Sequence, residues 1–231
     1  MLQAAVQVAG VIDQREADLL VGLGVRLLGF PLRLRDGRED LDEPAARSII
    51  ASLPPSVAAV TITYLDRARD VLDLCVSLGT QWVQLHGPVD VEELAQLKAT
   101  SPQLRVIKSL IVRPGNVASL CDEIERCADH VDAFITDTWD PATGRTGATG
   151  HVHDWAASRL LVERSRKPVI LAGGLRPSNV YEAINTVRPA AVDVHTGVEN
   201  RDGRKDPQLV GDFITAAGAA FEALRNELPA V

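Results

Sequence analysis

Short apolar runs alternate with longer amphipathic segments through the whole 231-residue sequence, and this alternation constrains the fold most strongly. The apolar runs contain few polar positions, which is typical of parallel strands covered by helices. Eight strands are predicted, at residues 4–9, 25–30, 57–63, 82–85, 105–112, 133–137, 168–172 and 191–195. Eight helices are predicted, at residues 14–23, 43–52, 67–78, 91–99, 116–127, 154–164, 177–187 and 207–224.

Eight successive strand–helix units predict an α/β protein, a single (β/α)8 TIM barrel with residues 1–231 as one domain. Length alone does not settle the domain count, since domains average roughly 150 residues. A doubly wound open sheet shows the same alternation, but a glycine-rich nucleotide-binding turn should follow its first strand. The chain has Gly10-Val11-Ile12-Asp13 there. Because that turn lacks the glycine pattern, we favour the closed barrel.

Charge and cysteine content argue against several functional classes. The formal net charge is -7, which disfavours a general nucleic-acid-binding protein because such a protein needs a basic surface. Cys75, Cys121 and Cys127 all fall in predicted helices, too few and too unevenly spaced for a disulfide framework or a zinc site, and no metal site is predicted. No apolar run approaches the roughly 20 residues of a membrane helix, and no signal peptide is evident. We expect a cytoplasmic protein without a membrane partner.

Polar residues at the predicted strand ends are the first candidates for chemistry, because barrel enzymes react at the carboxyl ends of their strands. Asp137 closes an apolar strand, where burial raises a carboxyl pKa and favours proton transfer to a ligand. A cap on a turn or helix is the alternative role for this residue. His86 and His195 also stand at strand ends, where each is either a functional group or a satisfied polar side chain.

Glycines in the loops after strands seven and eight predict an anion site. Gly173 and Gly174 precede a helix, and Thr196 and Gly197 follow the last strand. Glycine lets backbone N–H groups approach an anion without a side chain in the way, and these two loops commonly hold phosphate in barrel enzymes. The pattern predicts a phosphorylated small-molecule ligand. A role in tight turns alone is the alternative for each glycine.

Longer strings along the chain carry a family resemblance. They include Gln84-Leu85-His86-Gly87, Asp137-Thr138, Gly147-Ala148-Thr149-Gly150, Leu171-Ala172-Gly173-Gly174-Leu175 and Gly197-Val198-Glu199. With these strings in this order, the chain resembles phosphoribosylanthranilate isomerase, a (β/α)8 enzyme of tryptophan biosynthesis. The resemblance implies an Amadori rearrangement of an N-phosphoribosyl aminoaldose into a 1-deoxyribulose aminoketose by acid–base catalysis, without a cofactor.

The resemblance also implies roles for individual residues. Asp137 matches the general acid that protonates the furanose oxygen, and Arg38 falls where the family binds the anthranilate carboxylate. Substrate contacts are expected from Gln84, His86 and Thr149, which stand in the matching strings. The phosphate-binding positions are the four residues of the two loops described above, Gly173, Gly174, Thr196 and Gly197.

Strand one departs from the family pattern. Family members carry Lys-x-Cys-Gly-x-Thr there, with the cysteine as general base, whereas this chain has Gln7-Val8-Ala9-Gly10-Val11-Ile12. Ala9 cannot accept a proton. His195 stands where the family usually has serine, and strand eight adjoins strand one in a closed barrel. Our hypothesis is that His195 supplies the missing base or shapes the site for a different phosphorylated substrate. A bond from His195 to loop backbone only is the alternative.

These observations favour a phosphoribosylanthranilate isomerase-like enzyme with an altered base or substrate. The alternatives are a diverged paralogue that acts on another phosphorylated sugar derivative and a catalytically silent phosphosugar-binding barrel. Asp137 favours an enzyme, because an unpaired buried carboxylate costs stability without a function. The helix exteriors carry no single apolar stripe, so either a monomer or a homodimer is expected.

Overall fold

The strands of the molecule close into a barrel. The structure is a computed structural model that describes residues 2–34, 41–138 and 154–227. Its strands are β1 (Ala5–Ala9), β2 (Leu27–Pro31), β3 (Ala58–Thr63), β4 (Trp82–Leu85), β5 (Arg105–Val112), β6 (Ala133–Thr138), β7 (Val169–Leu171) and β8 (Ala191–Val194). Each strand pairs in parallel with the next, and β8 pairs with β1. The predicted (β/α)8 barrel is therefore confirmed.

Helices alternate with the strands and cover the outside of the barrel. They are α1 (Gln14–Gly22), α2 (Glu43–Ser52), α3 (Ala68–Leu78), α4 (Val91–Thr100), α5 (Val117–Cys127), α6 (Trp155–Arg164), α7 (Val180–Val187) and α8 (Pro207–Glu227). Asp13, Asp42 and Asp154 begin three of them, each accepting a backbone N–H of the first turn. Among the described residues, no helix combines the length and apolar character needed to cross a membrane.

Two element boundaries near the barrel mouth differ from the sequence prediction. Strand β8 ends at Val194, so His195 begins a loop and precedes a short 3-10 turn, Thr196–Val198. Helix α7 begins at Val180 rather than at residue 177, because the Asn179 side chain accepts the Arg176 N–H and closes a separate turn. Both differences lengthen the loops that were predicted to bind an anion.

Two apolar layers stabilise the barrel. Large side chains such as Phe30, Phe134 and Phe213 fill the space between strands and helices, and burial of each contributes about 1.5–3 kcal/mol. A smaller cluster fills the interior and includes Ala9, Ile107, Ile135, Ile170 and Ala191. Because strand side chains alternate with a period of two, the residues two positions away from these face the same interior. At the carboxyl ends of the strands, those interior positions are polar.

Candidate active site

The polar interior positions come from several strands. Four of them stand two positions from an apolar interior residue of the same strand: Gln7 on β1, Ser109 on β5, Asp137 on β6 and Asp193 on β8. The fifth is Gln84 on β4, which accepts a hydrogen bond from Gln7. All five side chains are buried. Strand alternation thus directs amide, hydroxyl and carboxyl groups into one volume at the catalytic end of the barrel.

Asp137 lies beside His86 at the carboxyl ends of β6 and β4. Asp137 Oδ2 is 3.8 Å from His86 Nδ1, and Asp137 Oδ1 accepts the Thr138 N–H at 2.7 Å. Ser109 Oγ lies 3.3 Å from the same imidazole nitrogen, while the Tyr64 ring contacts His86 edge-on, 4.9 Å between centroids. Burial raises the pKa of Asp137, and His86 and the Thr138 hydrogen bonds oppose the rise. Burial thus favours the protonated form of Asp137 relative to an exposed aspartate.

A second carboxyl group, Asp193, lies in the same interior next to β1. Gln7 is its register partner across the β1–β8 seam, and Gln7 Nε2 donates to Gln84 Oε1 at 3.0 Å. Burial, and then the charge of Asp137, raise the pKa of Asp193 to about 7, against smaller opposing effects of Gln7 and Lys205. Within the described part of the chain, Asp193 Oδ1 and Gln7 Oε1 are buried without a hydrogen-bond partner.

His195 reaches over the end of strand one. A Cβ atom added to Gly10 would lie 2.1 Å from His195 Nε2, so the imidazole occupies the space directly above Gly10. His195 Nε2 is 3.4 Å from Glu199 Oε1. Burial, followed by the charge of Lys205, lowers the pKa of His195 to about 3. His195 is therefore a neutral imidazole that lies above Gly10, at the ends of strands eight and one.

The two glycine loops lie against each other. Gly173 and Gly174 have φ angles of +97° and +62°, a left-handed backbone that turns successive N–H groups toward one point. A Cβ atom on Gly197 would lie 1.8 Å from the Leu175 carbonyl oxygen, so the two loops touch at a position that excludes any side chain. Thr196, next to Gly197, is exposed. The two loops are therefore in direct contact at the mouth of the barrel.

Loop eight (residues 195–206) is fastened to loop one (residues 10–13). Glu16 accepts the Ile12 N–H from loop one and the Lys205 N–H from loop eight, at 3.2 and 2.8 Å. Arg204 pairs with Asp13, and the buried Lys205 ammonium pairs with Glu199 and donates to the His195 carbonyl. The two loops enclose a cavity of about 470 Å³ whose lining includes Gly10 and His195.

The structure brings most of the predicted site residues to one end of the barrel. Asp137, His86 and Gln84 face the interior, and His195 with the glycine loops lies at its mouth. Arg38 and Thr149 lie outside the described residues.

Sequence reasoning missed Gln7 and Asp193 as site residues. Each stands two positions before a residue that was considered, Ala9 and His195 respectively. A period-two count backward along the strand identifies them, because residues two apart in a strand share a face.

Comparison with known proteins shows which family the chain belongs to. The family model described as N-(5'-phosphoribosyl)anthranilate (PRA) isomerase matches residues 37–216. The chain is 34% identical over 223 residues to N-(5'-phosphoribosyl)anthranilate isomerase 2 of Methanosarcina mazei, covering 96% of this chain and 97% of the relative. It is 36% identical over 209 residues to the isomerase of Methanothrix thermoacetophila, with 90% and 95% covered.

Solved structures give the same result. Phosphoribosyl anthranilate isomerase from Thermotoga maritima superposes with a TM-score of 0.78 at 29% identity, covering 93% of this chain and 98% of that structure. A second isomerase, solved in complex with reduced 1-(o-carboxyphenylamino)-1-deoxyribulose 5-phosphate, has a TM-score of 0.76 at 27% identity with the same coverage. The chain therefore belongs to the N-(5'-phosphoribosyl)anthranilate isomerase family.

Proposed function

We propose that this chain catalyses the aldose–ketose isomerisation of N-(5'-phosphoribosyl)anthranilate. The observation that carries the proposal is Asp137, a buried carboxyl group with a raised pKa at the catalytic end of the barrel. A structural relative binds reduced 1-(o-carboxyphenylamino)-1-deoxyribulose 5-phosphate, an aminoketose phosphate of the kind this reaction forms. The reaction is internal to one substrate, so acid–base groups on the protein suffice for it.

In the first step, we assign Asp137 as the general acid. It donates its proton to the furanose ring oxygen, the C1–O bond breaks, and the nitrogen lone pair forms an iminium with C1. Burial raises the pKa of the acid and so favours its protonated form, while the Thr138 N–H and the neighbouring His86 stabilise the carboxylate that forms. A carboxyl group with a raised pKa that is then stabilised as an anion is suited to this step.

We assign substrate binding to the remaining predicted residues. The backbone of Gly173, Gly174, Thr196 and Gly197 binds the phosphate, since left-handed turns and a short helical turn present N–H groups to an anion. Gln84 and His86 contact the sugar, because both are buried in the interior, His86 beside Asp137 and Gln84 beside Gln7. Arg38 and Thr149 keep the roles that the family resemblance implies, the first as partner of the anthranilate carboxylate.

The sequence-based hypothesis made His195 either the base or a residue that shapes the site for a different phosphorylated substrate; we propose that it shapes the site, here for the family substrate. Its Nε2 points toward Glu199 and the cavity between loops one and eight. With a pKa of about 3, its imidazole would hold a transferred proton poorly. The uncharged His195 ring instead occupies the space above Gly10 and limits the site there.

The proposal is tested by adding N-(5'-phosphoribosyl)anthranilate to the purified chain and following the appearance of the aminoketose. Asp137→Asn is expected to lower kcat by about 100-fold or more, the usual contribution of a general acid. Asp212→Asn, an exposed carboxyl on α8, is the matched control and should leave kcat unchanged. Rescue of a tryptophan auxotroph provides a second readout. No product from the wild-type chain, or full activity of Asp137→Asn, would refute the proposal.

We further propose a cytoplasmic enzyme in which residues 1–231 form one domain, without a nucleic-acid or membrane partner. The proposal of one domain is supported by closure of all eight strands into one barrel. Either a monomer or a homodimer is compatible with this barrel; a Thermotoga maritima relative is described as dimeric. Size-exclusion chromatography with light scattering measures the state directly, and a mass near 25 or 50 kDa is expected from the 24.8 kDa chain. A larger assembly would contradict this expectation.

A further inference from the structure

We propose that Asp193 is the general base that removes the C2 proton, in place of the strand-one cysteine that this chain lacks. This inference rests on the proposed function, because it assigns the second proton transfer of the same reaction. It concerns a residue at the end of β8, one strand away from the position where the family pattern has its base.

The first argument is position. Asp193 lies directly across the β1–β8 seam from Gln7, and Ala9 follows Gln7 by two residues on the same interior face. The Asp193 side chain therefore enters the barrel one interior layer below Ala9. Ala9 carries only a methyl group, so the side chain above Asp193 on this face is smaller than the cysteine of the family pattern.

The second argument is the hydrogen bonding of the carboxyl group. Asp193 is 9% exposed, and its Oδ1 has no hydrogen-bond partner among the residues that the structure describes. A buried unsatisfied carboxylate oxygen costs free energy in the unliganded protein, which favours a role that uses the oxygen when substrate is bound. A general base needs such a free lone pair within the site.

The third argument is charge. The charged groups that act on Asp193 are Asp137 on β6 and Lys205 in loop eight, and Lys205 is already paired with Glu199. The family pattern has a lysine at position 7, where its ammonium would stand across the seam from Asp193. Gln7 is uncharged there, and burial, followed by the charge of Asp137, raises the pKa of Asp193 to about 7 against the smaller opposing effects of the Gln7 hydrogen bond and Lys205. The differences at positions 7 and 9 therefore act together: one removes the cysteine base, and the other leaves Asp193 able to exchange a proton.

The proposed step balances within the carboxyl pair. The reaction begins with Asp137 protonated and Asp193 ionised. After Asp137 gives its proton to the ring oxygen, Asp193 takes the C2 proton. The electrons of the C2–H bond form a C1=C2 bond, and the iminium electron pair returns to nitrogen. Asp137 then takes the O2 proton while Asp193 returns its proton to C1, so the ketone forms and both carboxyl groups regain their starting protonation states. The pair carries one negative charge before and after, which fits the mutual influence of two nearby carboxyl groups.

The decisive experiment compares Asp193→Asn, His195→Asn and wild type with N-(5'-phosphoribosyl)anthranilate, using substrate with hydrogen or deuterium at C2. Asp193→Asn is expected to lower kcat by about 100-fold or more while KM changes less than about threefold, and to increase the C2 isotope effect. The rise of wild-type kcat/KM with pH near 7 should disappear. His195→Asn should retain that rise.

Gln7→Lys provides a second variant that leaves Asp193 in place. Its ammonium should pair with Asp193, lower turnover, and move the pH dependence to lower pH; in an Asp193→Asn background it should have no further effect. A turnover of Asp193→Asn within tenfold of wild type, together with a 100-fold loss in His195→Asn, would overturn the assignment and make His195 the base. A wild-type chain that makes no aminoketose would overturn the proposed function itself. The two failures are therefore distinguishable.

Discussion

The buried Asp193 carboxyl group predicts that a single substitution stabilises the protein in a pH-dependent way. Asp193→Asn keeps the shape of the side chain and removes its charge. In the folded chain, burial and Asp137 raise the pKa of Asp193 from 3.8 to about 7. Between those two pH values, the folded state binds a proton that the unfolded state has released. Wild-type stability from this group therefore falls as pH rises through the interval.

The size of the effect follows from linkage. Each pH unit between the unfolded and folded pKa values corresponds to 1.36 kcal/mol, so the full cost of ionising Asp193 in the fold is about 4 kcal/mol. Part of that cost is already present at pH 5, since the unfolded carboxyl is ionised there. Between pH 5 and pH 8.5, the free energy of unfolding of Asp193→Asn relative to wild type should increase by about 2 to 3 kcal/mol. For a chain of this length, that is roughly 5 to 10 °C in Tm.

Urea unfolding at pH 5 and at pH 8.5 measures the difference, with wild type and Asp193→Asn compared at each pH. Groups other than Asp193 and its neighbours titrate alike in both proteins, so the change between the two pH values isolates this carboxyl. Asp212→Asn, an exposed carboxyl on α8, is the control and should show a pH-independent offset. A pH-independent difference for Asp193→Asn, or destabilisation that grows with pH, would refute a raised pKa.

Three further predictions concern loops and an ion pair. Gly197→Ala should raise KM for the phosphorylated substrate and destabilise the fold by about 2 kcal/mol or more, because its Cβ would overlap the Leu175 carbonyl. The control is Gly211→Ala, in open space on α8, which should stabilise the fold by about 0.5–1 kcal/mol in thermal unfolding. Gly10→Ala, at φ +79°, should displace the His195 ring, cost about 1–2 kcal/mol in urea unfolding and raise KM. Asp132→Asn should cost about 2–3 kcal/mol at pH 7. Burial raises the Asp132 pKa, but the Val106 N–H, Lys98 and Arg105 together bring it below 3.8, so in acid-unfolding curves this cost should begin to shrink near pH 3.8 and disappear only below the lower folded-state pKa.

The sequence contained enough information for the barrel and for part of the site. Parallel strands covered by helices produce nearly continuous apolar runs, so all eight strands were predictable within a few residues. Asp137, Gly173 and Gly197 stand at strand ends or in loops where local pattern is informative. Asp193 was not predicted as a site residue: the period-two pattern places it on the interior face, but the local sequence does not show which groups surround it there. Its pKa depends on Gln7 and Asp137, which become its neighbours only when the sheet closes.

Closure of the sheet also supports our proposal that a base on β8 takes the place of one on β1. Interior positions at the carboxyl ends of the strands face one shared volume, so a proton acceptor on β8 lies on the same side of the barrel as a group on β1. Asp193 and Ala9 lie on adjacent strands, and Glu16 and Lys205 fasten the loops that follow those strands to each other. This fastening holds loops one and eight together, so the proposed base on β8 requires no displacement of the loops or of Asp137. The Gln7→Lys variant tests this idea most directly, because it places an ammonium across the seam from Asp193; it also removes the Gln7–Gln84 hydrogen bond, so Gln7→Met, which removes that bond without adding a charge, is the matched control.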